Sequence, residues 1–461
     1  MLQVITPRSF FPERMYLLRT LLGSFLGLDY EVHVEERPDW LFRLDNGKQL
    51  VVQDHFFTRC KEPDGYLREE MIPQKVNVAR LPFLTEEDVP ILYGTEELHV
   101  TAERIECGVD LFASAFFLLT RWEETVNPAR DRHQRFPASA SVAGRCGFLH
   151  RPVVNEYLEM LWNMLAYLGI QQPRQERRFR LVLTHDVDFL YLWRTPRDML
   201  RTLAGDLLKR RDLKRAAGTL KHIANVWLQR EKDPYDTFDW LMEVSERFDV
   251  QSRFNWMSGG VTEHDNFFRI DEKKALQLLR EMQQRGHEIG FHPSYGSYRE
   301  ARQWNAEKTA LERAAGSPVT EGRQHYLRFA VPHTWQIWED AGMRVDSSMY
   351  YAEQAGFRSG VCYEHPVFNV HTREMLELRE RPMIAMELTF LDPQYMGLSA
   401  EQIFDEIISL AETCKRYHGD FVLLWHNSSL MMKEHRMLYQ DVVRALATRE
   451  QNELILQEIA T

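Results

Sequence analysis

The sequence predicts an α/β protein in which about seven βα units form a closed or nearly closed parallel barrel, preceded by a smaller α+β domain. Three observations predict it. From Phe179 onward, apolar runs alternate with stretches of helical periodicity, the signature of a parallel sheet covered by helices. Four of those runs deliver His or Asp at the C-terminal end: Leu181-Val-Leu-Thr-His-Asp-Val-Asp188, Gly286-His-Glu-Ile-Gly-Phe-His292, Arg323-Gln-His-Tyr326 and Leu423-Leu-Trp-His426. Functional groups gathered on one rim of a barrel are distributed in this way. Finally, 461 residues exceed one small core, so two domains are expected.

Residues 1–175 read as the α+β N-terminal domain, of unassigned role. Met15 to Tyr30 is apolar but interrupted by Arg19, Gly23, Gly27 and Asp29, and predicts an amphipathic helix. Trp40–Asp45 and Lys48–Val52 flank Asn46-Gly47, the strongest short hairpin signal. Leu111–Glu124 and Val153–Leu168 carry helical periodicity. Between them, Arg130–Pro137 reads as a solvated loop with internal salt bridges; the alternative is a contact with the second domain or an anionic substrate. His133 in that loop is assigned no catalytic role. Gln171–Arg178 is polar, contains a proline, and is the expected linker.

Residues 179–461 supply the barrel. The predicted strands are Leu181–Asp186, Arg253–Met257, Glu288–His292, Gln324–Phe329, Arg344–Ser348, Ile384–Leu388 and Phe421–His426. The predicted helices include Thr237–Phe248, Glu272–Arg285, Ala301–Ala314, Thr334–Ala341 and Glu401–Tyr417. Leu192 to Lys232 breaks the repeat: it is long, helical and basic, with Arg194, Arg197, Arg201, Lys209, Arg210 and Arg211 among its cations. It reads as an inserted helical hairpin with a solvated basic face. The sharper alternatives are a lid, or a patch for an anionic glycan or a membrane surface.

Composition narrows the class. A formal net charge of -11 argues against nucleic acid as a partner. No apolar run reaches the roughly 20 residues needed to span a bilayer, and the N-terminus lacks the features of a signal peptide. The five cysteines are scattered, with no Cys-x-x-Cys pair, so no disulfide framework is expected and the cytoplasm is the expected compartment. Oligomeric state is not legible.

The strand ends carry the chemistry. Burying an unpaired carboxylate is costly, so Asp186 and Asp188 at the end of an apolar strand point to metal binding or proton transfer. Two residues apart on extended chain, they face the same way. His287 and His292 face opposite sides; His292, at the strand end, is the candidate, and His287 is read as structural. Arg323 and His325 share a face, and Arg323 beside a catalytic Asp keeps it ionised.

These motifs resemble those of the polysaccharide deacetylase superfamily (carbohydrate esterase family 4). Thr184-His-Asp-Val-Asp188 is similar to the first motif, Thr-Phe-Asp-Asp, and Gly286 to Ser294 to the second, which opens the His-x-x-x-His metal motif. Arg323-Gln-His-Tyr326, Val345-Asp346-Ser-Ser and Leu424-Trp-His426 are similar to the third, fourth and fifth. The motifs run in the family's order from Phe179 to the C-terminus, and the N-terminal half looks like an uncharacterised domain that precedes some bacterial members. The resemblance implies a distorted (β/α)7 barrel, a divalent metal held by Asp-His-His, a catalytic Asp base and a His acid. Residue by residue, Asp186 matches the base, His292 the first metal histidine, His426 the acid, and Arg323 the partner of the base.

The sequence departs from the family at two positions. Val187 stands where the second Asp is expected, and Gly296 where the second metal histidine is expected. Asp188 and His325 are the nearest substitutes, so the expected metal ligands are Asp188, His292 and His325, with Zn2+ the expected ion. His185 competes, but is expected to point away. Ser294, Tyr295, Tyr326, Trp425 and Asn427 are the candidate substrate-binding positions, the aromatic ones as platforms for a sugar ring. The implied activity is metal-dependent removal of acetyl groups from a carbohydrate in bacterial surface polysaccharide metabolism. Asp186 would be the base, His426 the acid, and the Tyr326 backbone N–H a donor to the oxyanion. Two alternatives stay open: an inactive glycan-binding or assembly protein on the same barrel, and a metal hydrolase of another C–N bond.

Overall fold

The computed structural model describes residues 1–265 and 268–460. The N-terminal part builds a six-stranded mixed sheet in the order Tyr30–Glu35, Leu2–Pro7, Asp39–Arg43, Gln49–Gln53, Arg104–Val109, Gly94–Val100. The Asn46-Gly47 signal produces its hairpin: Asp39–Arg43 and Gln49–Gln53 pair antiparallel, Trp40 opposite Val52. Gly47 adopts φ 83°, a conformation that costs a side chain little only when that side chain is absent. Leu111–Thr120 is buried on every side and starts at Asp110, whose carboxylate accepts the Ala113 N–H at 3.0 Å.

Two N-terminal expectations are corrected. The Met15–Tyr30 helix starts earlier, at Phe11, widens over Leu18–Leu26, and stops at Gly27 in the left-handed region; Tyr30–Glu35 is instead a strand, parallel to Leu2–Pro7. The Leu111–Glu124 helix ends at Thr120, because Arg121 turns the chain at φ 53° to enter a buried ion network.

The second sheet has nine strands in the order His365–Asn369, Glu374–Glu380, Val345–Asp346, Glu321–Gly322, Glu288–Phe291, Ser252–Trp256, Arg180–Val187, Asp420–Leu424, Ala385–Met386. Every neighbouring pair is parallel except the edge hairpin of His365–Asn369 with Glu374–Glu380. Helices Phe238–Arg247, Lys273–Gln284, Ala301–Ala315, His333–Asp340 and Ala400–Arg416 lie within two residues of their predicted bounds, as strong apolar periodicity allows.

The strand bounds depart further. The predicted Gln324–Phe329 strand is Glu321–Gly322, followed by a tight turn in which Tyr326 and Leu327 have φ of 58° and 55°. At Gly322 a Cβ would sit 2.0 Å from the Phe291 carbonyl oxygen, so this close strand approach requires glycine. Ile384–Leu388 is a two-residue strand, Ala385–Met386, that becomes the helix Glu387–Leu391. The edge hairpin is not among the predicted strands, although Leu376–Arg379 alternates apolar and charged residues. Nor is the helix Lys433–Ala460 among the predicted helices.

The two parts share one hydrophobic cluster. The Tyr16 ring lies 5.1 Å from that of Phe368, its hydroxyl donates to the Pro366 carbonyl at 3.0 Å, and the Val154 N–H donates to the Gly360 carbonyl at 2.8 Å. The basic segment forms helices Pro196–Ala204 and Leu213–Trp227, joined by a widened turn at Gly205–Lys209. Among the described residues no helix is long and apolar enough to cross a membrane.

Candidate metal and catalytic site

Parallel pairing aligns the C-terminal ends of the central strands, and with them the residues that follow. Asn255 stands opposite both Asp186 and Gly290, Phe291 opposite Gly322, and Met386 opposite Leu424. Asp188, His292, Arg323, His325, Glu387 and His426 therefore emerge on one rim, where α/β folds place their sites.

Asp188, His292 and His325 converge, with one ligand atom from each lying within 4.8 Å of the others. Asp188 Oδ1 is 3.3 Å from His292 Nε2 and 3.5 Å from His325 Nδ1. It is buried and has no hydrogen-bond donor. Both imidazoles are oriented from behind. His292 Nδ1 lies 2.7 Å from the Arg323 carbonyl and His325 Nε2 lies 2.8 Å from the His264 carbonyl, so each donates there and turns its other nitrogen inward. Those inward nitrogens are 2.9 Å apart. Two lone pairs at that distance need a proton or a cation between them. Without a cation, the proton resides on His292: burial opposes its charge, but Asp186 and Asp188 outweigh burial and raise its pKa, while burial lowers that of His325. Burial opposes ionisation of Asp188 as well, yet His325 and His292 hold it below the usual carboxylate range. An orphaned carboxylate oxygen beside two pre-oriented imidazole nitrogens is a donor set that fits a divalent cation.

A second carboxylate and a third imidazole flank this cluster. Asp186 is locked through Oδ1, which accepts from Arg323 Nη1 at 3.0 Å and Asn255 Nδ2 at 2.7 Å. Its Oδ2 faces His292 Nε2 at 3.8 Å. Burial opposes its charge, and Arg323 outweighs burial, so the carboxyl stays ionised. On the other side His426 Nε2 is 3.8 Å from Asp188 Oδ2, and its Nδ1 lies 2.8 Å from Glu387 Oε1. Burial alone would lower the His426 pKa, but Glu387 first, then Asp188 and Asp186, raise it to about 9. Any rate that needs protonated His426 falls as pH rises through that value. Glu387→Gln, which removes the largest stabiliser of the charged form, should move that alkaline limb to lower pH; a pH–rate profile of the two proteins checks it.

The other candidate positions separate. Tyr295 and Tyr326 lie beside the cluster, the ring of Tyr326 4.7 Å from that of His325 and itself 37% exposed. Trp425, expected to stack on a sugar, is buried against Tyr439 instead, because just past strand Asp420–Leu424 it turns to the side away from His426. Asn427 is also buried: its amide donates to the carbonyls of Phe189 and Tyr235, tying loops together. Ser294 is buried with its N–H and hydroxyl on Glu307. These three are structural. His185 turns away, as expected, with Nδ1 on the Trp425 carbonyl and Nε2 on Ser252. His287 faces Ser252 and Glu246.

Sequence reasoning missed Glu387 and Asn255. Glu387 had a usable signal, an acidic residue at the end of the apolar run Ile384-Ala-Met. The Arg130–Pro137 loop is also corrected: it is not solvated but packed onto the rim. Arg135 pairs with Asp131 and donates to the Tyr326 carbonyl and the Tyr395 hydroxyl, both at 3.2 Å. His133 lies 3.2 Å from the Tyr295 hydroxyl, and Arg328, stacked 3.8 Å over the Tyr295 ring, donates to the His133 carbonyl. The cation-rich loop finds partners across the chain, which local spacing does not reveal.

Residues 2–169 match the model of a family of unknown function, DUF7033. No curated protein sequence matches the chain. Among solved structures, the chain resembles a protein from Mycobacterium smegmatis provisionally described as a polysaccharide deacetylase, at 15% identity and TM-score 0.39, covering 60% of this chain and 86% of that one. It also resembles a carbohydrate esterase family 4 pseudoenzyme from Bacillus anthracis, at 11% identity and TM-score 0.31, covering 60% and 63%. A third is the chitin deacetylase of the fungal pathogen Colletotrichum lindemuthianum, at 12% identity and TM-score 0.30, covering 59% and 84%. At these values, function has to be argued from the geometry of the site itself.

Proposed function

We propose that the chain is a metal-dependent hydrolase that removes acetyl groups from a carbohydrate, acting on an amide C–N bond. The observation that carries this reading is the convergence of Asp188, His292 and His325, with Arg323-held Asp186 on one side and Glu387-held His426 on the other. Asp188, His292 and His325 would hold a divalent cation, Zn2+ in first place for a site with two imidazoles. When bound, such an ion polarises the acetyl carbonyl and makes a nearby water more acidic. The remaining steps fall to this chain's own groups. Asp186 accepts the proton of the attacking water through Oδ2, the oxygen that Arg323 and Asn255 leave free. His426 Nε2 gives its proton to the departing nitrogen as the C–N bond breaks, releasing acetate and an amine. Glu387 keeps His426 charged until that step.

The substrate wall in this reading is formed by Tyr326 and Tyr295, with His133 and Arg135 contributed by the N-terminal domain, residues 1–175. We read the second sheet and its helices, residues 179–461, as the distorted (β/α)7 barrel, and the setting as bacterial surface polysaccharide metabolism. All five cysteines are free thiols, which supports a reducing compartment, the cytoplasm.

The test is acetate release from a panel of N-acetylated saccharides, with chelator and after zinc is restored. Release should require the metal, and His426→Ala should slow it by about 10²–10⁴-fold. A specific observation favours one rival: Val187 and Gly296 stand where the resemblance expects ligands. Zinc binding with no release from any saccharide would replace hydrolysis by glycan binding.

A further inference from the structure

The basic hairpin carries an apolar stripe that nothing among the described residues covers. On helix Leu213–Trp227, residues Leu213, Ala217, Leu220, Ala224 and Trp227 are spaced alternately four and three apart, which places them on one face. All five are exposed, Leu213 at 77% and Trp227 at 83%. The protein-facing side is a different one, with Ala216 and Ile223 buried. The preceding helix and its widened turn repeat the pattern: Leu200, Ala204, Leu207 and Leu208 are exposed, Leu200 at 67% and Leu208 at 78%. A helix in water turns polar residues outward, so two adjacent helices with outward leucines mark a surface meant to be covered.

The charge around the stripes says what covers it. From Pro196 to Leu228 the hairpin carries eight Lys or Arg and three Asp, within a chain whose net charge is -11. Buried Asp206 takes Arg210 and Arg215 and accepts the Thr219 hydroxyl at 2.7 Å, which fastens the turn to the second helix. No carboxylate among the described residues pairs with Lys209, Arg211, Lys214 or Lys221. Lys214 and Lys221 each directly follow a stripe leucine, so they border the apolar face. Leucines and a terminal tryptophan edged by lysines are the composition of a helix lying in a membrane interface. A second copy is a poor occupant, since a two-fold contact would double the excess positive charge at one interface.

We propose that this hairpin, residues 196–228, docks the protein on an anionic lipid surface, with the leucine and tryptophan stripes in the acyl boundary and the bordering cations at the headgroups. Beneath it a cleft of about 1480 Å³ runs from Arg197 and Arg201 to Phe189, the residue after Asp188, and to Glu263, the residue before His264. Docking therefore holds this cleft close to the lipid surface. The inference stands whether or not the site is catalytic.

Cosedimentation of the full chain with phosphatidylglycerol-rich vesicles, against phosphatidylcholine alone, tests it. The protein should pellet with the anionic vesicles and be released by salt. Lys214→Glu should lower partitioning at least about fivefold, and Leu220→Glu with Trp227→Glu at least about tenfold. Because the replaced side chains are exposed, unchanged thermal melts should accompany the loss. In the wild type, amide exchange over 196–228 should slow on vesicle binding. Failure to pellet at low salt, unchanged partitioning of the double variant, or a dimer that the double variant dissolves without any vesicle binding would each overturn the proposal.

Discussion

Asp188→Ala should weaken zinc binding by at least about 100-fold, since loss of groups one shell further out already costs 10–100-fold at such sites. Asp188 contributes the only carboxylate of the three-ligand set, and its Oδ1 is the buried atom without a donor. Without it, two imidazoles face each other across 2.9 Å with nothing to balance a second positive charge. His292→Ala should match the effect. His185→Gln should leave affinity unchanged, because His185 hydrogen-bonds behind the rim to Trp425 and Ser252. Competition with a chromophoric chelator measures all three. Binding should also release a proton, as the one shared by His292 and His325 is displaced, so affinity should fall as pH falls. Full affinity in Asp188→Ala would dissolve the site as described.

Arg358→Met should destabilise the fold by about 3–5 kcal/mol, the cost of breaking a buried ion pair and leaving Arg121 alone to balance Glu123 and Glu124. Arg358 Nη2 and Nε hold Glu124 at 2.6 and 3.1 Å, and Arg121 Nε holds the same carboxylate at 3.0 Å. All three side chains are buried. The network joins a residue of the N-terminal part to a loop of the second sheet, so its loss should loosen that contact first. Burial opposes ionisation of Glu124, but Arg358 and then Arg121 outweigh it, so its folded pKa lies below the ordinary value. That contribution is present above the ordinary glutamate pKa and is lost as pH falls through the folded one. Urea unfolding near neutral pH should therefore separate mutant from wild type more widely than unfolding in acid. Adding Glu124→Leu to Arg358→Met should recover part of the loss, since two apolar residues strand no anion. An unchanged midpoint in the single mutant would show that the pair contributes nothing.

Legibility followed the range of the physics. The helices from Phe238 to Arg416 were readable because their apolar periodicity is a property of each helix alone. The rim was readable for the same reason: acids and histidines closing apolar runs need only the local sequence to be noticed. Short strands were legible only in part: the predicted Arg344–Ser348 contains Val345–Asp346, but Glu321–Gly322, a strand by virtue of its neighbours, lies outside the predicted Gln324–Phe329. The Arg130–Pro137 loop, rich in charge, looked solvated only because its partners Tyr326, Tyr395 and Arg328 lie far along the chain.

What the amino-acid order determined unaided is the alternation of elements, the Asn-Gly turn, the basic insertion, and the candidate ligands Asp188, His292 and His325. Which side chains share a space was decided only on folding. Register set His292 against His325 and gave His426 its carboxylate from Glu387; adjacent positions just past strand Asp420–Leu424 sent Trp425 against Tyr439 and His426 to the rim site. Such outcomes depend on distances between residues that have no sequence proximity, and burial, which fixes their charge, exists only once the chain has folded around them.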